Sequence, residues 1–332
     1  MQRPPNTAPF RLGPAVTALG LLCALLALAA TAGANEPGAD PFADPEPAID
    51  ANPELSFFKV ESEIVTSVSR HPESLWGSAA AVYVISADDI AASGADSLTD
   101  ALRMVPGLDV AAVDSNFTAV SARGFNGVFA DKMLVLLDGR PIYTPTFGGT
   151  LWKQWKGFLP DIERIEVIRG PGGTLWGSNA VNGVVNIITK PAGDTPGGHM
   201  RLAAGNNSTA SAAFRMGGSE DNLDFRIFAR TSSSKGFGGN SGAGVDDEYD
   251  EHGLGYRFDW DLGRGLRFIG SGQLYDNRVA TVALEDDGQT QVPADKYETE
   301  LYTTLWRIEK DFPDGAWGHL QVATDYVERR TP

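Results

Sequence analysis

Beyond Gly198 apolar and polar residues alternate one by one. Ala210, Ala212, Phe214 and Met216 are interleaved with Ser211 and Arg215, and Leu223, Phe225 and Ile227 with Asp224 and Arg226, Arg230 following. Tyr256, Phe258, Trp260 and Leu262 alternate with Arg257, Asp259 and Asp261, and Leu320, Val322, Thr324 and Tyr326 with Gln321 and Asp325. A period of two is that of a strand with one apolar face. About seven strands are predicted, near residues 198–206, 208–217, 222–232, 249–262, 265–277, 297–311 and 316–329. Their connections alternate, short at 217–222, 262–265 and 312–315 and long at 233–249 and 277–297. Short turns on one side and long loops on the other suit an antiparallel membrane barrel, greasy side out and charged side towards its lumen. A soluble antiparallel sheet shares the alternation but turns its apolar face inward and has short, even loops.

Upstream the periodicity is mixed. Residues 81–85 predict a strand, and Ser86 opens a helix with Asp89 in capping-box spacing and Gly94 at its end. Leu98, Ala101, Leu102 and Val105 recur at i, i+3, i+4 and i+7, which predicts a second, amphipathic helix stopped by Pro106-Gly107. Met133 to Leu137 predicts a buried strand, and Asp138-Gly139 a tight type I′ turn returning through Ile142-Tyr143. Within Asp161–Lys190, Ile162, Ile165, Val167 and Ile168 form one strand-like run. The glycines of 170–173 break it, and Val184 to Thr189 forms the next.

Composition narrows the setting. The chain of 332 residues has 43 acidic and 27 basic residues, a formal net charge of -16, which excludes the basic stripe of a nucleic-acid binder. The apolar run from Leu12 to Ala30, behind Arg3 and Arg11 and ahead of Ala32-Gly33-Ala34, reads as a secretory leader over residues 1–34. Cys23, the one cysteine, lies inside it; lipidation there is the competing reading, disfavoured because bulky Leu22 precedes it and the apolar run continues. Residues 35–54 hold five prolines, six carboxylates and no basic residue, so residues 35–60 are read as a disordered linker. His71, His199, His252 and His319 are scattered, without a zinc-like spacing, and neither a catalytic constellation nor a cofactor motif is found. The acidic run Asp246, Asp247, Glu248, Asp250 and Glu251 is read as a solvated loop, with calcium binding as the alternative.

The glycines after Arg169 fit no nucleotide template, since Leu175 stands where a third glycine belongs and no Gly-Lys-Ser/Thr follows. The wording Ile162 to Pro171 followed by Gly177-x-x-Ala180-x-x-Gly183-x-Val185-Asn186-Ile187-Ile188-Thr189 resembles instead the plug signature of TonB-dependent outer-membrane receptors. Ala87-Asp88-Asp89-Ile90, Val105-Pro106-Gly107, Arg123-Gly124-Phe125 and Val135 to Gly139 extend the resemblance upstream in order. It implies an α+β plug over residues 61–192, followed over 193–332 by an antiparallel, incomplete transmembrane β-barrel. A plugged barrel needs about twenty-two strands, and the chain stops at residues 329–332 without the aromatic-ended strand the family has, so a partial sequence is expected.

The resemblance implies import of a scarce ligand across the outer membrane of a Gram-negative bacterium, a ferric siderophore first, with cobalamin, another metal chelate or an oligosaccharide behind. The partner implied is TonB, the periplasmic energy-transducing protein. Glu63, Ile64, Val65, Thr66, Ser67 and Val68 resemble the box it pairs with, and their alternative is an ordinary first strand. The resemblance also implies plug arginines locked to wall carboxylates, for which Arg123, Arg164 and Arg169 are the candidates. Loop residues Asn116, Phe117, Tyr143, Phe147, Trp152 and Trp155 are candidates for facing the ligand, those of the Tyr143–Phe158 loop equally for packing on the wall. Of the rival readings, a signalling receptor wants a folded domain where only the short, proline-rich 35–57 stands, and a soluble periplasmic binding or scaffold protein wants the apolar strand faces buried.

Overall fold

The computed structural model describes residues 64–65, 73–74 and 81–330, less short stretches at 113–117, 125–131, 144–148, 151, 153–156, 206–208, 237–246, 285–290 and 314. Strands β1 (Ile64–Val65) and β2 (Glu73–Ser74) pair antiparallel, Ile64 opposite Ser74. Strand β3 (Val82–Ser86) leads into helix α1 (Ala87–Ser93), and α2 (Leu98–Leu102) follows. The predicted capping box is formed: Ser86 Oγ accepts from the Asp89 amide at 3.1 Å, the Asp89 carboxylate accepts from the Ser86 amide at 3.0 Å, and Gly94 closes the helix in the left-handed region. The Ser86 hydroxyl, which donates to the Asp89 carboxylate at 2.7 Å, and the Ser86 amide hold that carboxyl below its ordinary pKa. Helix α2 ends earlier than its periodicity predicts. The amides of Met104 and Val105 bond three residues back, in tight turns, because Pro106 steers Val105 away from helical backbone.

Strands β4 (Leu108–Ala112) and β5 (Thr118–Ala122) make a small hairpin. β6 (Met133–Leu137), β7 (Arg140–Pro141) and β8 (Ile162–Arg169) follow, then one-turn α3 (Gly173–Trp176) and β9 (Gly183–Thr189). They join β3 in a five-stranded sheet of order β3-β8-β9-β6-β7, in which only β6 and β9 are parallel. The Asp138-Gly139 turn has positive φ at both residues, 50° and 78°, as the type I′ prediction requires. Ile85, Leu102, Ile142, Ile165 and Ile187, each below 2% exposed, centre the core between this sheet and the two helices.

Seven strands follow in neighbour order: β10 (Gly197–Ala204), β11 (Ala210–Glu220), β12 (Leu223–Ser234), β13 (Tyr249–Gly263), β14 (Leu266–Leu284), β15 (Gln291–Asp311) and β16 (Trp317–Arg330). All pair antiparallel, and among the described residues β10 and β16 are the open edges. The predicted long loop 277–297 is mostly strand: Val279 pairs with Tyr297 and Leu284 with Gln291, past a register break between Ala280 and Val282. With two long strands already aligned, each further pair adds ladder bonds without a new loop to close. The 21 residues of β15 far exceed the 9 to 11 that cross a bilayer.

The polar face of this sheet is the buried one. Arg215, Arg226, Arg230, Glu251, Asp259, Asn277 and Thr303 are buried, whereas Met200, Leu202, Phe214, Ile227, Leu254, Leu274 and Val322 are exposed. Phe225 and Phe258 are half-buried on the same outer face, Phe258 screened by the rings of Tyr256, Phe268 and Trp306. In water such a sheet would be inside out; in lipid it is the stable arrangement. The plug lies against the polar face.

Candidate functional site

The chemistry gathers along the seam where the plug meets the wall. Pro160 opens a 3-10 turn, Leu159–Asp161, that sets buried Asp161 at the head of β8. Strand β9 leaves the plug through Thr189, Lys190 and a second 3-10 turn, Ala192–Asp194, and runs along β11, β12 and β13. Arginines from the wall reach this path and donate to it: Arg215 to the Thr195 carbonyl at 2.7 Å, Arg226 to that of Lys190 at 2.7 Å, and Arg257 to the Thr189 side-chain Oγ1 at 2.9 Å. Arg201 donates to the Ala95 carbonyl at 2.8 Å, and Arg307 to that of Asp138. In return the Ala192 amide donates to Asp259 Oδ2 at 2.5 Å.

The charge pairs crossing the seam follow the same layout. Asp161 lies between two wall arginines, 3.5 Å from Arg215 Nε and 3.4 Å from Arg226 Nε, all three side chains at most 10% exposed. Burial pushes the Asp161 carboxyl above its ordinary pKa, opposed by Arg226 and Arg215. At the other end of the sheet, plug Arg140 pairs with Asp325 of β16. The seam holds a cavity of about 60 Å³ lined by Asp161, Phe228, Arg226, Arg257 and Gln273, room for a water or two and not for a cargo. A Cβ built on Gly217 of β11 would stand 2.1 Å from the Thr195 carbonyl oxygen. Gly217→Ala is therefore expected to push residues 192–195 off the wall, and faster amide exchange there, with β13–β14 unaffected, is the measurement that checks it.

The lock candidates have plug partners among the described residues. Arg123, Arg164 and Arg169 bond within the plug: Arg123 to the Arg169 carbonyl at 3.0 Å, Arg169 to the Pro106 carbonyl at 2.7 Å, and Arg164 to Glu166 at 2.8 Å and to Glu163. Arg164 lies beside Glu163 and Glu166 of its own strand, and Arg169 reaches the turn that ends at Pro106. The contacts between plug and wall run through Asp161 and Arg140 on the plug and Arg201, Arg215, Arg226, Arg257 and Arg307 on the wall, none of which stands in the motifs. The one sequence signal of the wall residues is an arginine at an inward strand position; Asp224, Asp259 and Glu309 stand two residues from Arg226, Arg257 and Arg307, so nearby charge does not mark them out.

Of the ligand-facing candidates, Trp152 is a core residue, 5% exposed, in the cluster that includes Tyr275 and Leu301 of the wall. Tyr143 is half-buried. Asn116, Phe117, Phe147 and Trp155 lie outside the described residues, as do Glu63, Thr66, Ser67 and Val68 of the box and Asp246 of the acidic run. Within the described part of that run, Glu248 pairs with Lys296 at 2.6 Å and Glu251 with Arg230 at 3.3 Å, and among the described residues no three His, Cys, Asp or Glu are grouped as metal ligands.

Residues 75–184 match the TonB-dependent Receptor Plug Domain family. Over 199 residues the chain is 33% identical to a vitamin B12 transporter of Vibrio vulnificus, covering 59% of this chain and 30% of that protein. It is 30% identical over 210 residues to an iron-regulated outer membrane virulence protein of Vibrio cholerae, again 59% and 30%. The ferripyoverdine receptor of Pseudomonas aeruginosa, solved with ferripyoverdine bound, aligns with a TM-score of 0.61 at 20% identity over 79% of this chain and 36% of that one. At that identity the likeness is one of fold. The chain spans about a third of the length of the relatives it matches.

Proposed function

Taking the chain as a TonB-dependent receptor, plug and leading barrel strands together, we propose that it belongs to an active importer of the outer membrane that takes up a ferric siderophore. Cobalamin is the second reading, favoured by the vitamin B12 transporter among the relatives; the iron-regulated protein and the ferripyoverdine receptor favour iron. The observation that carries the proposal is the inverted sheet, polar face against the plug and apolar face exposed. A passage stoppered by a folded domain needs energy to open, and the partner that supplies it is TonB. The domain limits belong to the same proposal: leader 1–34, linker 35–60, plug 61–192 and barrel 193–332.

The handle is the segment Glu63 to Val68. Ile64 and Val65 are extended and backbone-paired with Glu73 and Ser74, the conformation that strand addition needs. Deleting residues 64–68 from the complete gene is expected to abolish energised uptake and leave membrane insertion intact; uptake that survives would place the handle elsewhere. Growth of a deletion strain on single iron, cobalamin or glycan sources identifies the cargo. Fractionation tests the setting: a barrel needs detergent and shifts its gel mobility on heating, and recovery in the soluble periplasm would overturn the proposal.

A further inference from the structure

Arg215 and Arg226 of the wall share one plug carboxylate. Arg230 and Arg257 each have a carboxylate on the wall itself, Glu251 at 3.3 Å and Asp259 at 2.9 Å. For Arg215 and Arg226 the ion-pair partner among the described residues is Asp161 of the plug, for both. The fit is loose. Neither Asp161 oxygen accepts a hydrogen bond from a protein group, and Arg215 Nε, on a residue 9% exposed, donates to none. Two guanidiniums there face one carboxylate, so positive charge is in excess by one and the hydrogen bonding is incomplete, although guanidinium forks are suited to bonding an oxyanion at two points.

We propose that Arg215 and Arg226 form an oxyanion site on the inner wall, which the Asp161 carboxylate occupies as a built-in substitute while the plug is seated. When the plug shifts, Asp161 leaves and a carboxylate or phosphate-type group takes its place, because two guanidiniums that converge on one point repel each other and together attract an oxyanion. Arg226 lies four residues into β12 from the short turn at Asp221-Asn222, so the site serves the end of the passage opposite the long loops. This inference rests on the plug-and-wall reading.

The test is anion rescue in the complete receptor. Asp161→Ser removes the carboxylate and leaves space beside the seam cavity; Asp161→Ala is the second variant should the first not fold. Amide exchange across residues 189–195 is expected to quicken in either variant. Sodium sulfate, against sodium chloride at matched ionic strength, is expected to slow it again by about tenfold, the effect of filling a site to roughly ten times its dissociation constant. Wild type, its site already occupied, and Asp161→Ser combined with Arg226→Gln are expected to show no such sulfate effect, which separates binding from general salting-out. Equal sulfate effects in all three proteins, or none in either single variant, would overturn the proposal. Two further probes divide the sources: rescue by inorganic phosphate alone assigns the site to small free anions, and rescue by citrate as well extends it to the carboxylates of a chelate. Uptake by the wild type is measured separately, so a failed rescue with uptake intact removes this site and not the import reading.

Discussion

Replacing Arg226 with alanine in the complete protein is expected to loosen the plug from the wall by about 3 kcal/mol. Arg226 is 5% exposed, faces Asp161 at 3.4 Å and donates to the Lys190 carbonyl at 2.7 Å. Its loss leaves a buried carboxylate with one partner in place of two and a main-chain acceptor without its donor. The Lys190 carbonyl is then unpaired away from water and Asp161 keeps Arg215 alone, and an unmade buried hydrogen bond costs more than the bond itself contributes. Arg215 stays within reach of Asp161, which keeps the effect at the lower end of the range for buried pairs. The measurement is amide exchange in β8 and β9, expected to rise about a hundredfold, at 1.4 kcal/mol per factor of ten, if these strands open by leaving the wall. Arg164→Ala is the control: its partners Glu163 and Glu166 belong to the plug, so it is expected to lower plug stability without freeing residues 189–195. An Arg226 variant that exchanges like wild type would mean that the wall arginines follow the plug and do not hold it.

An arginine placed at Leu254 is expected to block insertion of the barrel, at a cost of about 2–4 kcal/mol. Leu254 is 55% exposed on the apolar face of β13, six residues before Trp260. At about 3.4 Å per residue and a tilt of about 45°, that is roughly 14 Å along the membrane normal from the Trp260 ring, near the middle of an apolar band about 25 Å tall. A guanidinium there has neither water nor a partner. Gln273, which pairs with neighbouring Gly255 but faces the plug, is the matched inner position, and arginine there is expected to insert normally. Folding into lipid vesicles, followed by heat-dependent gel mobility, reads both. If Leu254→Arg inserted like wild type, the exposed apolar face would not be facing lipid.

Much of this architecture was legible before any coordinates. Ser86 with Asp89 and Gly94 marked a helix, Asp138-Gly139 a tight turn, and the alternation from Ala210 to Tyr326 a one-sided sheet, because each depends on residues adjacent or a few positions apart. Lengths were less legible. Helix α2 stops short under the influence of Pro106, and β14 and β15 continue past their pattern because ladder bonds between aligned backbones ask little of side chains.

The arginine lock was the least legible feature. Arg123, Arg164 and Arg169 stood out because they sit in recognisable wording, yet a motif says nothing about what a side chain meets in space. Which arginine reaches which acceptor depends on how the plug is seated inside the sheet, and most of those acceptors are main-chain carbonyls, which every residue has and no sequence pattern marks. Local spacing along the chain determined the strands, the turns and the apolar face. Only the tertiary structure decided that Asp161 lies between Arg215 and Arg226, since three residues from separate strands and a turn are brought together there by packing at long range.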